Sequence, residues 1–245
     1  MDPLGLTDPE PTAIGEPEGG NFEAFAYDIR NSSRPCFFIT EDHELGALRR
    51  WCPDPTHLNE TWNMLHGNGT REYLKIIPDT NRFEWTPYLS EGRNSAKSYF
   101  PQSEGISHKD GILYFVSKKL KRLFICNLDT GEFRTESTND QGLLIGDGLF
   151  NAEPDYVIHG AGNDILYFLQ DGGTPGVYAR KTSTGEYFAI MEAEHDRYKR
   201  DEFTGLSWSP DWTKLYVCIQ DIGILFEVTR DDGMPFEHDD QQLRL

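Results

Sequence analysis

The sequence predicts an all-β protein, a β-propeller with about four to five recognisable blades and an incomplete ring. Three observations predict it. An apolar strand, a short gap, a second strand and a turn occur in that order four times. The copies begin at Phe37 (FFITEDHELGALRRWCPDPT), Leu113 (LYFVSKKLKRLFICNLDTGE), Leu166 (LYFLQDGGTPGVYARKTSTGE) and Leu215 (LYVCIQDIGILFEVTRDDGM). The last three start 53 and 49 residues apart, which suits one antiparallel blade with modest loops. A carboxylate precedes each copy: Glu23 in FEAFAYD, Glu104 in SEGISH, Asp155 in EPDYVI and Glu202 in EFTGLSWS. The first strand of every propeller blade lines a common channel, so these acids are expected to converge on its axis.

The elements follow in order. Residues 1–20 are acidic and rich in Pro and Gly, and read as a linker or truncated edge. FEAFAYDI alternates large and small side chains, as a strand does. RPCFFITED is a second strand with Pro35 at its start, where a missing N–H is tolerated. ALRRWCP is a third, followed by a polar insertion over 53–70 with room for a short helix. EYLKIIP and RFEWTPYL form an outer hairpin through PDTN. SEGISH, ILYFVSK, RLFICNL and FRTEST make the next blade, with DTGE as its last turn. YVIHG, DILYFLQD, GVYARKT and EYFAIME repeat it, with STGE in the same place. TGLSWS, KLYVCIQ and ILFEVTR close the series, the first two joined by SPDW. The propeller domain is thus expected over 21–232, with a polar tail over 233–245 that offers no obvious closing strand.

The formal net charge of −18 argues against nucleic-acid or anionic-membrane partners and suits a soluble chain rich in cation ligands. No apolar run reaches 18 residues, so no membrane helix is expected, and the N-terminus lacks the pattern of a signal peptide. Cys126 and Cys218 lie in apolar strands and are expected to be buried thiols. Cys36 and Cys52 flank the first hairpin, where pairing is the lesser expectation. Sequons at Asn31, Asn59 and Asn68 permit glycosylation of an exported eukaryotic protein.

The acids Glu23, Glu41, Asp42, Glu104, Asp155, Asp171 and Glu202 form the first candidate constellation. Glu41 and Asp171 follow the second strands of their blades at equivalent places. Several acids meeting without basic neighbours are costly unless a cation neutralises them, and calcium and iron(III) favour carboxylate oxygen. The alternative for each acid is a turn cap. Arg200, two residues before Glu202, shares its side of an extended strand and suits bidentate phosphate binding; a surface ion pair with Asp201 or Glu194 is the alternative. The histidines His43, His108, His159 and His195 form no HxH or HExxH and are expected to be polar loop residues. No G-x-S-x-G, P-loop or dinucleotide fingerprint occurs.

FEAFAYD, FFITEDHELGALRRW, YFPQSEGIS, the NAEPDYV–LQDGG pair and DEFTGLSWSPDWTKLYVCIQDIGILFEV together resemble the PhoX-type alkaline phosphatases, from about Asn21 to Asp232. These are β-propeller phosphomonoesterases with an iron and calcium cluster. The resemblance implies calcium and iron as cofactors and a small phosphate ester as partner. It implies metal ligation by Glu23, Glu41, Glu104, Asp155, Asp171 and Glu202. It implies catalytic roles for Glu104, Glu202 and Arg200, Arg200 holding the substrate phosphate. It also implies a monomer in an extracellular or periplasmic setting. Family members carry an upstream cysteine segment that bridges the irons. It has no counterpart here, SEG replaces PEG and PDY replaces PDN. The sequence therefore resembles the C-terminal portion of a member, and iron is the less expected of the two metals. A calcium-binding propeller without catalysis and a lactonase-like hydrolase are the alternative readings.

Overall fold

The computed structural model describes residues 10–16, 18–58, 62–139, 144–145, 148, 150–160, 162, 164–193 and 201–236. Arg200, His195 and the sequon Asn59 lie outside the described residues. The first strands are β1 (Phe22–Asp28), β2 (Cys36–Glu41), β3 (Arg49–Pro53), β4 (Gly69–Ile77) and β5 (Arg82–Thr86). Next come β6 (Ser103–Lys109), β7 (Ile112–Ser117), β8 (Arg122–Asn127) and β9 (Glu132–Ser137), then β10 (Leu144–Ile145), β11 (Glu153–His159), β12 (Ile165–Asp171), β13 (Gly176–Lys181) and β14 (Tyr187–Glu192). The last are β15 (Phe203–Trp208), β16 (Lys214–Ile219) and β17 (Ile224–Thr229). They form four antiparallel meanders, β1–β4, β6–β9, β11–β14 and β15–β17, each running outward from its first strand. β5 extends the first meander and touches β9 through the single pair Arg82–Glu132. β6 packs between β1 and β11, and β11 in turn packs against β15. This is the propeller arrangement, with the first strands innermost.

The second strands β7 and β12 read as continuous apolar runs because both of their faces are covered. Leu113 and Phe115 on β7 join a core with Phe38, Leu48, Leu74, Phe100 and Phe124. The intervening Tyr114 and Val116 join a second core with Leu166, Phe168 and Tyr178. Tyr167 and Leu169 on β12 then join a third with Leu215 and Val217. Alternation with period two sends successive residues into successive inter-blade layers. The DTGE and STGE turns need Gly131 and Gly185 at φ +69° and +80°, which a side chain would strain.

Three features depart from the expectations. An α-helix, α2 after the short α1 (Asn63–His66), spans Leu89–Tyr99 between the first two meanders. Its buried residues are the small Gly92, Ser95 and Ala96, so it carries no apolar stripe to announce it. Ser95 Oγ accepts from the Ile76 N–H at 2.9 Å, tying the helix to β4. Cys36 and Cys52 are joined in a disulfide. They stand side by side where β2 and β3 pair Phe37 with Trp51, a proximity that linear spacing hides. Finally, the segments expected to be linker and tail are partly anchored: Ile14 is buried, and Phe236 packs edge-on to Trp208 at 5.2 Å. Of the expected buried thiols, Cys126 is buried and Cys218 half-buried.

Replacing Phe115, fully buried between Phe100 and Phe124, by Ala is expected to cost about 3–5 kcal/mol, read as a lower midpoint in urea unfolding. Glu132→Ala on the exposed outer strand is expected to stay within about 0.5 kcal/mol.

Candidate functional site

Each innermost strand is irregular at its start. The pairs Phe22–Glu41, Ser103–Ser117, Pro154–Gln170 and Thr204–Cys218 are each followed by a register shift. In the first three strands the residue just after that pair is an acid: Glu23, Glu104 and Asp155. Bulges re-aim side chains, and here the same irregularity recurs at the same end of neighbouring strands. The fourth repeat departs from this phase. Phe203 pairs Ile219, so Thr204 occupies the position of Glu104, and Glu202 lies two residues earlier at the strand's mouth.

A backbone approach fixes the second and third acids. A Cβ on Gly105 would lie 2.3 Å from the Val157 N and 2.7 Å from the Tyr156 Cα. Only glycine lets β6 and β11 run this close. Glu104 is consequently 1% exposed and Asp155 6% exposed. The Glu104 carbonyl accepts from the Thr40 hydroxyl.

The second strands complete the site. Counted from Phe37, Leu113, Leu166 and Leu215, the sixth residues are Asp42, Lys118, Asp171 and Gln220. Their backbone N–H groups on Asp42, Lys118 and Gln220 donate to Asn21, Gln102 and Glu202 respectively. The Lys118 ammonium stands 3.0 Å from Asp171 Oδ2, 3.5 Å from Glu104 Oε1 and 3.8 Å from Asp155 Oδ1. Lys118 is the charged group in this cluster that sequence reasoning missed. The signal was its repeat phase, which equals that of Asp42 and Asp171.

Glu41 points elsewhere. It is one residue before that phase, and neighbouring residues on a strand face opposite ways. Its carboxylate lies 3.7 Å from the fully buried Arg49, which also donates to the Gly15, Glu16 and Gly19 carbonyls. The structure thus brings together Glu23, Asp42, Glu104, Asp155, Asp171 and Glu202, adds Lys118, and leaves Glu41 on Arg49. The equivalent Ser117 and Gln170 are structural too: Ser117 Oγ donates to the Pro101 carbonyl, and Gln170 accepts from Asn151 and Ala152.

The electrostatics express an excess of acid. Burial, then repulsion from Asp155, pushes Glu104 up to about 9, against the pull of Lys118. Burial, then Glu202, pushes Asp155 up to about 7. Glu23 is raised by burial and by Asp42; Glu202 is raised by burial and by Asp171. Burial works to lower Lys118, but its hydrogen bond to Asp171 and the attraction of Glu104 and Asp155 hold it above its usual value. Glu104 Oε1 is buried with no hydrogen-bond partner. All the acid donors are oxygen, which suits a hard cation such as calcium. As they stand they surround the ammonium, and among the described residues no three His, Cys, Asp or Glu side chains converge tightly enough to hold a metal ion.

Among the described residues, His43 and His108 make local hydrogen bonds: His43 Nδ1 accepts from the Leu45 N–H and His108 Nε2 from the Gly111 N–H. His159 is a buried strand residue rather than a polar loop residue. Its Nδ1 is 2.9 Å from Ser107 Oγ, and burial lowers it to about 4.

No family model and no curated protein matches the sequence. Among solved structures the fold is similar to Pseudomonas fluorescens PhoX in complex with vanadate, a transition-state analogue. The TM-score is 0.63 at 15% identity over 91% of this chain and 55% of that one. It is also similar to a chain of a nidogen/laminin complex, with TM-score 0.51 at 12% identity over 81% of this chain and 56% of that one. The chain therefore spans little more than half the length of either neighbour. No helix among the described residues is long and apolar enough to cross a membrane.

The acids set a pH dependence. A carboxyl group raised in the folded state stabilises the fold below its unfolded value, and that stabilisation is lost as pH rises through the folded value. For Glu104 the window runs from 4.5 to about 9. His159, lowered from 6.5 to about 4, acts oppositely, its stabilisation being lost as pH falls below 6.5. Between about pH 7 and 9 Glu104 therefore acts without that opposition. In chelator the melting temperature is expected to fall across this range, and Glu104→Gln is expected to flatten the slope. A wild-type melting temperature that is constant or rising from pH 7 to 9 contradicts the assignment.

Proposed function

We propose that this chain is a cation-dependent, phosphatase-like propeller that hydrolyses phosphate monoesters at the carboxylate end of its channel. The observation that carries the reading is Glu104: a buried carboxylate whose Oε1 has no hydrogen bond and lies 3.5 Å from Lys118, set among further acids that, among the described residues, this ammonium does not neutralise. Such a site attracts divalent cations and repels a phosphate ester until they are bound. Glu23, Glu104, Asp155, Asp171 and Glu202 would hold the cation, which for oxygen donors of this kind is calcium. Bound there, it would neutralise the carboxylates and stabilise charge on the transferring phosphoryl group. Glu104 and Asp155, held by the close approach of their strands at Gly105, would orient it. Arg200, for which the PhoX-type resemblance implies phosphate binding, completes the proposal. An iron site bridged by a thiolate has less support, since the cysteine segment that bridges the irons in PhoX-type proteins has no counterpart in this sequence.

The same reading places the protein in an oxidising, exported setting. A disulfide persists there, and Asn31 and Asn68 are both exposed.

The Lys118 ammonium among the acids favours a second reading, a calcium-binding propeller without catalysis. Elemental analysis and p-nitrophenyl phosphate hydrolysis, with calcium and with chelator, separate the two. The phosphatase reading expects turnover that chelator abolishes and that Glu104→Gln lowers by about 100-fold in kcat/KM. Metal uptake without turnover leaves the binding propeller, and absence of uptake overturns both.

A further inference from the structure

We propose that Lys118 is a built-in counter-ion that a divalent cation must displace, so that this one side chain sets the affinity of the site. The inference rests on the cation-binding reading above and names the residue that tunes it. The ammonium lies within 3.0–3.8 Å of oxygens from Asp171, Glu104 and Asp155. Calcium binds oxygen at about 2.3–2.6 Å. A calcium ion on those oxygens would occupy the space of the ammonium and repel its charge, so the two exclude each other.

The local structure permits the exchange. The Lys118 backbone is fixed, its N–H donating to the Gln102 carbonyl at 2.9 Å and its carbonyl accepting from the Lys121 N–H at 3.1 Å. The side chain is not fixed in the same way. It starts at the end of β7, is 18% exposed, and carries its charge on a flexible four-carbon stem. It can swing to solvent while the strand stays in place. The equivalent residues Asp42 and Asp171 are acids and Gln220 is an amide, so the repeat does not require a cation at this phase. Replacing a single charge by another single charge gains little, whereas a divalent ion gains a net charge. The device therefore also selects divalent over monovalent ions.

The test is calcium binding to the purified chain by titration calorimetry, with Lys118→Met, Lys118→Gln and Lys118→Arg beside the wild type. Lys119→Met is the control, since Lys119 is exposed and pairs with Glu44. Both neutral variants are expected to bind calcium at least about tenfold more tightly. They are also expected to melt lower than wild type in chelator and to gain more from calcium. Lys118→Arg keeps the charge and is expected to bind no more tightly than wild type. Lys118→Gln preserves hydrogen bonding to the acids, so it stands in if the Met variant does not fold. Affinities of the neutral variants within twofold of wild type overturn the proposal, as does equal tightening by Arg. Absence of calcium binding in every variant overturns instead the reading on which it rests. Binding confined to the neutral variants supports the proposal in its strongest form.

Discussion

The close approach of β6 and β11 at Gly105 is the constraint from which the site follows. Two inner strands with side chains at that point would stand further apart, and Glu104 and Asp155 would each reach water. With glycine there, the strands run so close that both carboxylates are buried side by side. Their repulsion and desolvation then demand a positive partner. Lys118 answers part of that demand, facing Glu104 Oε1 at 3.5 Å without a hydrogen bond. Burial and shifted protonation are in this sense two results of one steric fact.

The surrounding architecture makes such a cluster sustainable. Three inter-blade cores bury the alternate residues of the second strands. The inner strands can therefore be irregular at their starts without loss of the fold. The irregularity falls at the same end of successive strands, which is why acids from distant parts of the chain share one mouth. Arg49 shows the opposite strategy. It is fully buried, donates to backbone carbonyls and lies 3.7 Å from Glu41, and so reads as a structural clasp on the N-terminal segment.

The propeller is shared with PhoX and with a chain of a nidogen/laminin complex at 15% and 12% identity. At that distance the fold is common property and says little about chemistry. The functional reading rests instead on the charge arrangement at the channel mouth, where described acids gather around the Lys118 ammonium. That arrangement is a matter of individual side chains, and it is there that the functional argument has to be made.

The sequence by itself determined the fold class, because apolar strands of period two with turns at regular spacing have few ways to bury both faces. It also determined which acids recur, since the phase of the repeat is visible in one dimension. Tertiary structure decided the rest. Glu41 and Asp42 are neighbours in the chain, and only the pleat shows that Glu41 lies on Arg49 while Asp42 acts on Glu23 and Glu104. Glu202 looks like the fourth member of a series, and only the register shows that Thr204 holds that place. Lys118 looks like one of several surface lysines, and only the convergence of β6, β7, β11 and β12 puts its charge among three carboxylates. In the sequence the Cys36–Cys52 bond is only the lesser expectation and the helix Leu89–Tyr99 is not visible, for the same reason. One depends on two strands lying side by side, and the other on small residues fitting a groove. Pattern along the chain records which face is apolar; it does not record what stands opposite.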